Sequence, residues 1–292
     1  MMRMYLCLTK LARWKYTYII YGSLLFTACS STHEENRLQK AEALASAQHW
    51  QELTLTTDSY SLRSYVSPKS LRDNTLTIYI EGDGSAWIHG EYPSEDPTPK
   101  DPIGLRLALA QPSGAVAYLA RPCQFITQPT LCNSAVWTSE RFSQKAIQAT
   151  DQAINRLKAR TQAQKMILVG YSGGAAVALL VAARRHDVSM IISVAGNVNP
   201  HLWVNTLGMQ PLAGSLDPRH FVNELSQIPQ VYLVGGQDRV VSSELSDLFI
   251  EQFPKNARPR IINVKENGHV CCWVEQWPLL WSQITQKTPS PQ

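Results

Sequence analysis

The chain has 292 residues, 44% of them hydrophobic and 17% charged, which is enough apolar material for a large buried core and excludes a disordered chain. Four of the 27 basic side chains (Arg3, Lys10, Arg13 and Lys15) fall within residues 1–28, where no acidic residue occurs. The other 23 balance the 23 acidic ones, so the formal net charge of +4 belongs to the N-terminus alone. A neutral remainder excludes the basic stripe of a nucleic-acid binder and the acidic block of a solvating tail.

The basic start runs into a short apolar, aromatic stretch at 16–27, the build of a secretory signal and too short to span a bilayer comfortably. "FTAC" at 26–29 resembles the bacterial lipoprotein box, with Phe26 in place of the usual aliphatic residue. That resemblance implies a signal peptide over 1–28, lipidation of Cys29 and an acyl anchor in the membrane. Ser30, where inner-membrane retention typically uses aspartate, favours the outer membrane with the chain facing the periplasm. Ordinary signal cleavage nearby, with Cys29 incidental, is the alternative. Residues 29–50 are polar with a helical stretch near "NRLQKAEALASAQ" and read as a tether. A single domain is expected over 51–287, with a short disordered tail at 288–292.

Within the domain, strands and helices alternate. "TLTIYI" (75–80) is β-rich and stopped by "EGDG"; "GAVAYLA" (114–120) is a second strand. The spacing of Phe142, Ala146, Ala149, Ala153, Ile154 and Leu157 predicts an amphipathic helix over 139–160 with Ser139 as N-cap. "KMILVG" precedes the helix "GGAAVALLVAARR", and "MIISVAG", "VYLVGG" and "RIINV" are three further strands. "SELSDLFIEQF" and "WVEQWPLLWSQI" are helices, the last kinked or offset by Pro278. Continuous apolar strands alternating with helices predict an α/β fold, a mostly parallel sheet covered on both faces. The longest interruption, 198–227, reads as a connecting loop or a small lid.

Gly170, Ser172 and Gly174 form G-x-S-x-G directly between a strand and an alanine-rich helix. A tight strand-to-helix turn of this kind exposes the serine and leaves no room for side chains two positions to either side. Gly173, opening the helix, offers a backbone N–H beside the hydroxyl, where the helix dipole favours negative charge. A serine needs a base. Of seven histidines, His269 alone follows a late strand in a Gly-containing loop, with His89 its nearest competitor. The base needs an orienting carboxylate. Asp238, just past a strand and Gly-Gly, is preferred over Asp217 in "SLDP", which has no strand before it. Each of Ser172, Asp238 and His269 thus lies at the carboxyl end of a strand, where open parallel sheets place their sites.

Over 53–284 the chain resembles the α/β-hydrolase superfamily, with the elbow, the acid and the histidine in that family's order. The resemblance implies Ser172 as nucleophile, His269 as base and Asp238 as acid, in acyl transfer through an acyl-enzyme. "IYIEGDGSAW" stands in the place of the oxyanion loop, with Glu81 where histidine is usual. The oxyanion donors implied are the N–H groups of Gly173 and Asp83, with Gly84 the rival to Asp83. Glu81 and Asp83 without a nearby histidine make a poor metal site, so neither metal nor cofactor is expected.

Export leaves Cys123, Cys132, Cys271 and Cys272 as disulfide candidates. In the sheet the resemblance implies, several strands separate Cys123 from the His269 loop, which favours a local Cys123–Cys132 bridge. A Cys271–Cys272 bond would stiffen the histidine loop. The expected function is a carboxylic ester hydrolase at the cell envelope, taking a small-molecule or lipid-like acyl substrate. A peptidase or acyltransferase with the same residues, or a non-catalytic envelope lipoprotein, are the alternatives.

Overall fold

The computed structural model describes residues 28–68, 73–126 and 131–286, except the side chains of 28–35 and of Gln286. The leader through residue 27, the side chain of Cys29 and the tail 288–292 lie outside the described residues.

Helix α1 (Ala28–Ser46) leads into a hairpin of β1 (Gln51–Thr56) and β2 (Ser61–Val66), then β3 (Thr75–Ile80). A two-residue-strand hairpin, β4 (Trp87–Ile88) and β5 (Tyr92–Pro93), precedes α2 (Ile103–Ala110), β6 (Ala115–Leu119), α3 (Gln144–Thr161) and β7 (Lys165–Tyr171). There follow α4 (Gly173–Ala182), β8 (Val188–Val194), α5 (Pro200–Thr206), α6 (Val222–Leu225), β9 (Gln230–Gly235), α7 (Ser243–Ile250), β10 (Arg260–Val264) and α8 (Trp273–Gln286).

Eight strands form one sheet in the order β1-β2-β6-β3-β7-β8-β9-β10. Only β2 runs against its neighbours; β6, β3, β7, β8, β9 and β10 are parallel, as their apolar sequences predict. One face packs against α3, α4 and α7, the other against α1, α2 and α8. All ten residues of α4 are buried, so it carries no polar face.

Two expectations are corrected. Helix α3 begins at Gln144, because Ser143, not Ser139, accepts the Ala146 N–H at 3.2 Å. Residues 36–50 are not a loose tether. Ala41 and Ala45 are buried against the α2 and α8 side of the sheet, and Arg37 pairs with Asp96 at 2.9 Å. The last helix runs through Pro278. The 198–227 segment carries α5 and α6 and is pinned to the start of α3 by an isolated bridge between Ser143 and Ser215.

Helix α8 is held to the sheet by aromatic contacts. Trp277 is fully buried, meets Tyr79 edge-on with ring centroids 5.9 Å apart, and donates Nε1–H to the Tyr79 hydroxyl at 2.8 Å. Tyr79 in turn donates to Gln111 Oε1 at 2.7 Å. Trp277→Ala leaves a cavity and strips the Tyr79 oxygen of its donor, and is expected to cost about 3–5 kcal/mol in urea unfolding; a loss below about 1 kcal/mol refutes this packing.

Candidate active site

Ser172 ends the hydrogen-bonded run of β7 and caps α4 with φ 50° and ψ −123°, a left-handed backbone that a serine adopts only when its surroundings enforce it. The neighbours do enforce it. A Cβ on Gly170 would lie 2.5 Å from the Ala175 nitrogen, and one on Gly174 would lie 2.6 Å from the Glu81 carbonyl oxygen. Only glycine lets the first turn of α4 come this close to β7 and to the end of β3.

The loops after β9 and β10 bring the other two residues to this turn. Ser172 Oγ lies 3.0 Å from His269 Nε2, and His269 Nδ1 lies 2.9 Å from Asp238 Oδ2. The Asp238 side chain is 1% exposed, and its other oxygen accepts the N–H groups of Val240 and Val241 at 2.8 and 2.9 Å. A carboxylate so placed takes the Nδ1 proton and leaves Nε2 free to accept from the serine. From behind, Tyr171 Oη and Trp273 Nε1 donate to the His269 carbonyl at 3.1 and 3.2 Å. The sequence competitors go elsewhere: His89 is exposed in the β4–β5 turn, and Asp217 caps a short 3₁₀ turn while pairing with Arg219.

The "EGDG" loop sits directly against the elbow. A Cβ on Gly82 would fall 3.2 Å from Ser172 Cβ, and one on Gly173 would fall 2.6 Å from Asp83 Cγ. As the first residue of α4, Gly173 has an N–H with no partner inside the helix. Two buried arginines fix the Asp83 carboxylate, Arg121 Nη1 on Oδ1 and Arg141 Nη1 on Oδ2, each at 3.1 Å. Gln124 donates to the Gly82 carbonyl at 3.0 Å, holding the loop from its other side. Gly84 has φ +64° and packs toward Gln124 and Pro99.

Arg121, Arg141, Gln124 and Asn197 were not singled out in the sequence. Arg121 and Asn197 had a signal, since they follow β6 and β8 at the edge where sites form; Gln124 and Arg141 follow no strand so closely. Asn197 lines the cleft with a buried, unpartnered Oδ1.

Ser172, His269, Asp83, Arg141 and Asn197 share a cleft of about 400 Å³ with Trp87 and Trp203. Trp203 reaches it from α5 and donates to the Val240 carbonyl at 2.7 Å. A second, more open cavity of about 570 Å³ lies at the opposite edge of the sheet, between Pro229, Pro254 and Arg260, and contains none of these residues. No cluster of metal-ligating side chains occurs among the described residues. Both expected disulfides are present: Cys123–Cys132, with Cα atoms 5.8 Å apart, and the adjacent pair Cys271–Cys272 beside His269.

A serine on a strained strand-to-helix turn, set in a mostly parallel sheet with helices on both faces, defines an α/β hydrolase. The model of the FSH1 serine hydrolase family matches residues 113–271, which include Ser172, Asp238 and His269. The chain belongs to that family and is an esterase-like serine hydrolase. Among solved structures, an esterase from Pyrococcus furiosus superposes with a TM-score of 0.58 at 14% identity, over 84% of this chain and 92% of that one. Est1E from Butyrivibrio proteoclasticus gives 0.56 at 13%, over 81% and 98%. The acylaminoacyl peptidase of Pyrococcus horikoshii gives 0.59 at 12%, but the chain spans only 43% of it. At these identities the likeness concerns the fold. Among curated proteins none matches the sequence.

Glu81 has a structural post. It is buried at the N-terminus of α2, where its Oε1 accepts the N–H groups of Gly82 and Gly104 at 3.0 and 3.1 Å. Burial raises its pKa against the pull of these donors. A raised folded value means its contribution to stability is fully present below the ordinary carboxylate range and is lost as pH rises through that raised value. The unfolding free energy of the wild type should therefore fall relative to Glu81→Gln as pH rises; a difference between the two proteins that does not vary with pH refutes this.

Proposed function

We propose that Ser172, His269 and Asp238 form a catalytic triad and that the protein hydrolyses carboxylic esters through an acyl-enzyme. The observation that carries this reading is the continuous relay from Ser172 Oγ to His269 to the buried Asp238, with the serine facing the cleft. His269 Nε2 takes the hydroxyl proton as Oγ attacks the ester carbonyl. The resulting oxyanion rests against the N–H groups of Gly173 and Asp83, the second positioned by the two arginines on its carboxylate. Each such donor contributes about 3–4 kcal/mol to lowering the barrier. The imidazolium then gives its proton to the departing alkoxide, and water, deprotonated by the same nitrogen, releases the acid. Asp238 stays ionised and stabilises the positive ring.

A fluorophosphonate probe is expected to label the wild type at Ser172 and to leave Ser172→Ala unlabelled. Turnover of 4-nitrophenyl esters should vanish in Ser172→Ala and fall about 10³- to 10⁴-fold in Asp238→Asn, both variants keeping wild-type circular dichroism. Ester turnover by folded Ser172→Ala overturns the assignment.

The same reading places the protein at the bacterial envelope as a lipoprotein anchored through Cys29, facing the periplasm from the outer membrane. The basic-then-apolar leader supports it, as do cysteine bridges suited to an oxidising compartment. Metabolic labelling of cells with a palmitate analogue should mark the wild type and not Cys29→Ser; equal labelling of both, or of neither, refutes the anchor.

A further inference from the structure

Three residues that wall the cleft each carry a buried polar atom with no partner among the described residues. Arg141, with a side chain 3% exposed, donates from Nη1 to Asp83, but its Nε makes no hydrogen bond. The indole Nε1 of Trp87 is the second such atom and the Oδ1 of Asn197 the third. Leaving a buried polar group unpaired is costly, and most such groups in folded proteins are paired. Here all three belong to the cleft that Ser172 also lines.

Their chemistry says what is missing. An indole N–H can only donate. The Arg141 guanidinium lies 5.6 and 5.7 Å from the ring centroids of Phe142 and Trp203, so the rings hold its plane and polar partners meet its edges. With Nη1 on Asp83, the edge formed by Nε–H and the adjoining Nη2–H has no partner among the described residues. That edge is the fork that matches the two oxygens of a carboxylate. Arg121, by contrast, engages both of its Nη atoms, on Asp83 and on the Arg141 carbonyl. Asn197 offers a donor or an acceptor by a half-turn of its amide, so it does not decide the sign.

The acids of the cleft wall are already engaged. Asp83 lies between two arginines, Asp101 between Arg106 at 2.6 Å and Lys40 at 3.4 Å, and Glu81 accepts backbone N–H groups. Lys100 lines the same cleft, exposed and with no acidic partner among the described residues. Two donors and a spare positive charge are left over, and no acid of the wall is left to meet them.

We propose that Arg141 and Trp87 hold a carboxylate of the substrate, so that the cleft selects half-esters of dicarboxylic acids. This deepens the ester-hydrolase reading and rests on it for the bond that is broken. Arg141 grips Asp83, whose N–H that reading gives to the acyl oxygen, so the fork adjoins the acyl part of the ester. The held carboxylate forms and breaks no bond. It fixes the far end of the acyl chain while Ser172 attacks the near end, and Lys100 draws the anion to the opening.

The test compares the monoethyl esters of the diacids from succinate to suberate with the same ethyl esters carrying a carboxamide in place of the free carboxylate. The amide keeps the size and removes the charge. At the best chain length, wild-type kcat/KM should favour the acid about tenfold or more. In Arg141→Lys, which keeps a charge for Asp83 and loses the fork, the preference should shrink to about twofold or less. Trp87→Phe, which loses only the N–H, should also lower it. Each preference is a ratio within one protein, so any general loss from disturbing Asp83 cancels. Binding of acid and amide to Ser172→Ala, read by tryptophan fluorescence, should show the same preference without turnover. Equal kcat/KM for acid and amide at every length overturns the proposal, as does a preference that persists unchanged in both Arg141→Lys and Trp87→Phe. Should the wild type hydrolyse neither ester, the hydrolase reading fails and the binding preference alone decides this proposal, equal binding overturning it.

Discussion

The turn between β7 and α4 constrains everything around it. A helix whose first residue follows a strand without a loop must pass within contact of its own strand and of the adjacent one. At Gly170 and Gly174 that contact is backbone on backbone, leaving no space for a methyl group. The cost is a serine held in left-handed geometry. In return the Ser172 hydroxyl projects above the sheet, and the first N–H of α4 stands beside it. Because the same close approach brings the end of β3 against α4, the "EGDG" loop has no freedom to drift from the serine.

Electrostatics complete that arrangement. The two acids of "EGDG" look alike in sequence but serve separate ends. Glu81 satisfies backbone donors at the start of α2, which an apolar residue there would leave unpaired. Asp83 turns toward Gly173 and is gripped by Arg121 and Arg141. The arginines are themselves tied, Arg121 donating to the Arg141 carbonyl at 2.6 Å and both guanidinium groups stacking near Phe142. Removing one member would leave a buried charge without its counterpart, so the group behaves as a unit.

Strands buried on both faces were legible from the chain because they read as unbroken apolar runs: β3, β6, β7, β8 and β9 all do so. The β1–β2 hairpin was not. β1 is an edge strand with mostly exposed residues, and β2 carries Arg63 and Ser64 in buried positions, so neither shows an apolar run. The packing of α1 was hidden for a related reason. Among its described side chains it fully buries only small ones, Ala41 and Ala45, with Leu38 and Leu44 partly buried, and it attaches through charged pairs that sequence alone presents as solvated. At the site, residues adjoining strand ends were legible, and the order of serine, acid and histidine narrowed the choice. Arg141 was not, because its proximity to Ser172 comes from how a distant loop folds back, which no spacing encodes.

The carbonyl of His269 is gripped from two directions, by a tyrosine on β7 and a tryptophan on α8. These bonds fasten the main chain, while the Asp238 carboxylate holds the ring itself through Nδ1. The imidazole is therefore positioned by the sheet and by the last helix as much as by its own loop. Its Nε2 stands 3.0 Å from the serine oxygen with nothing left to rearrange.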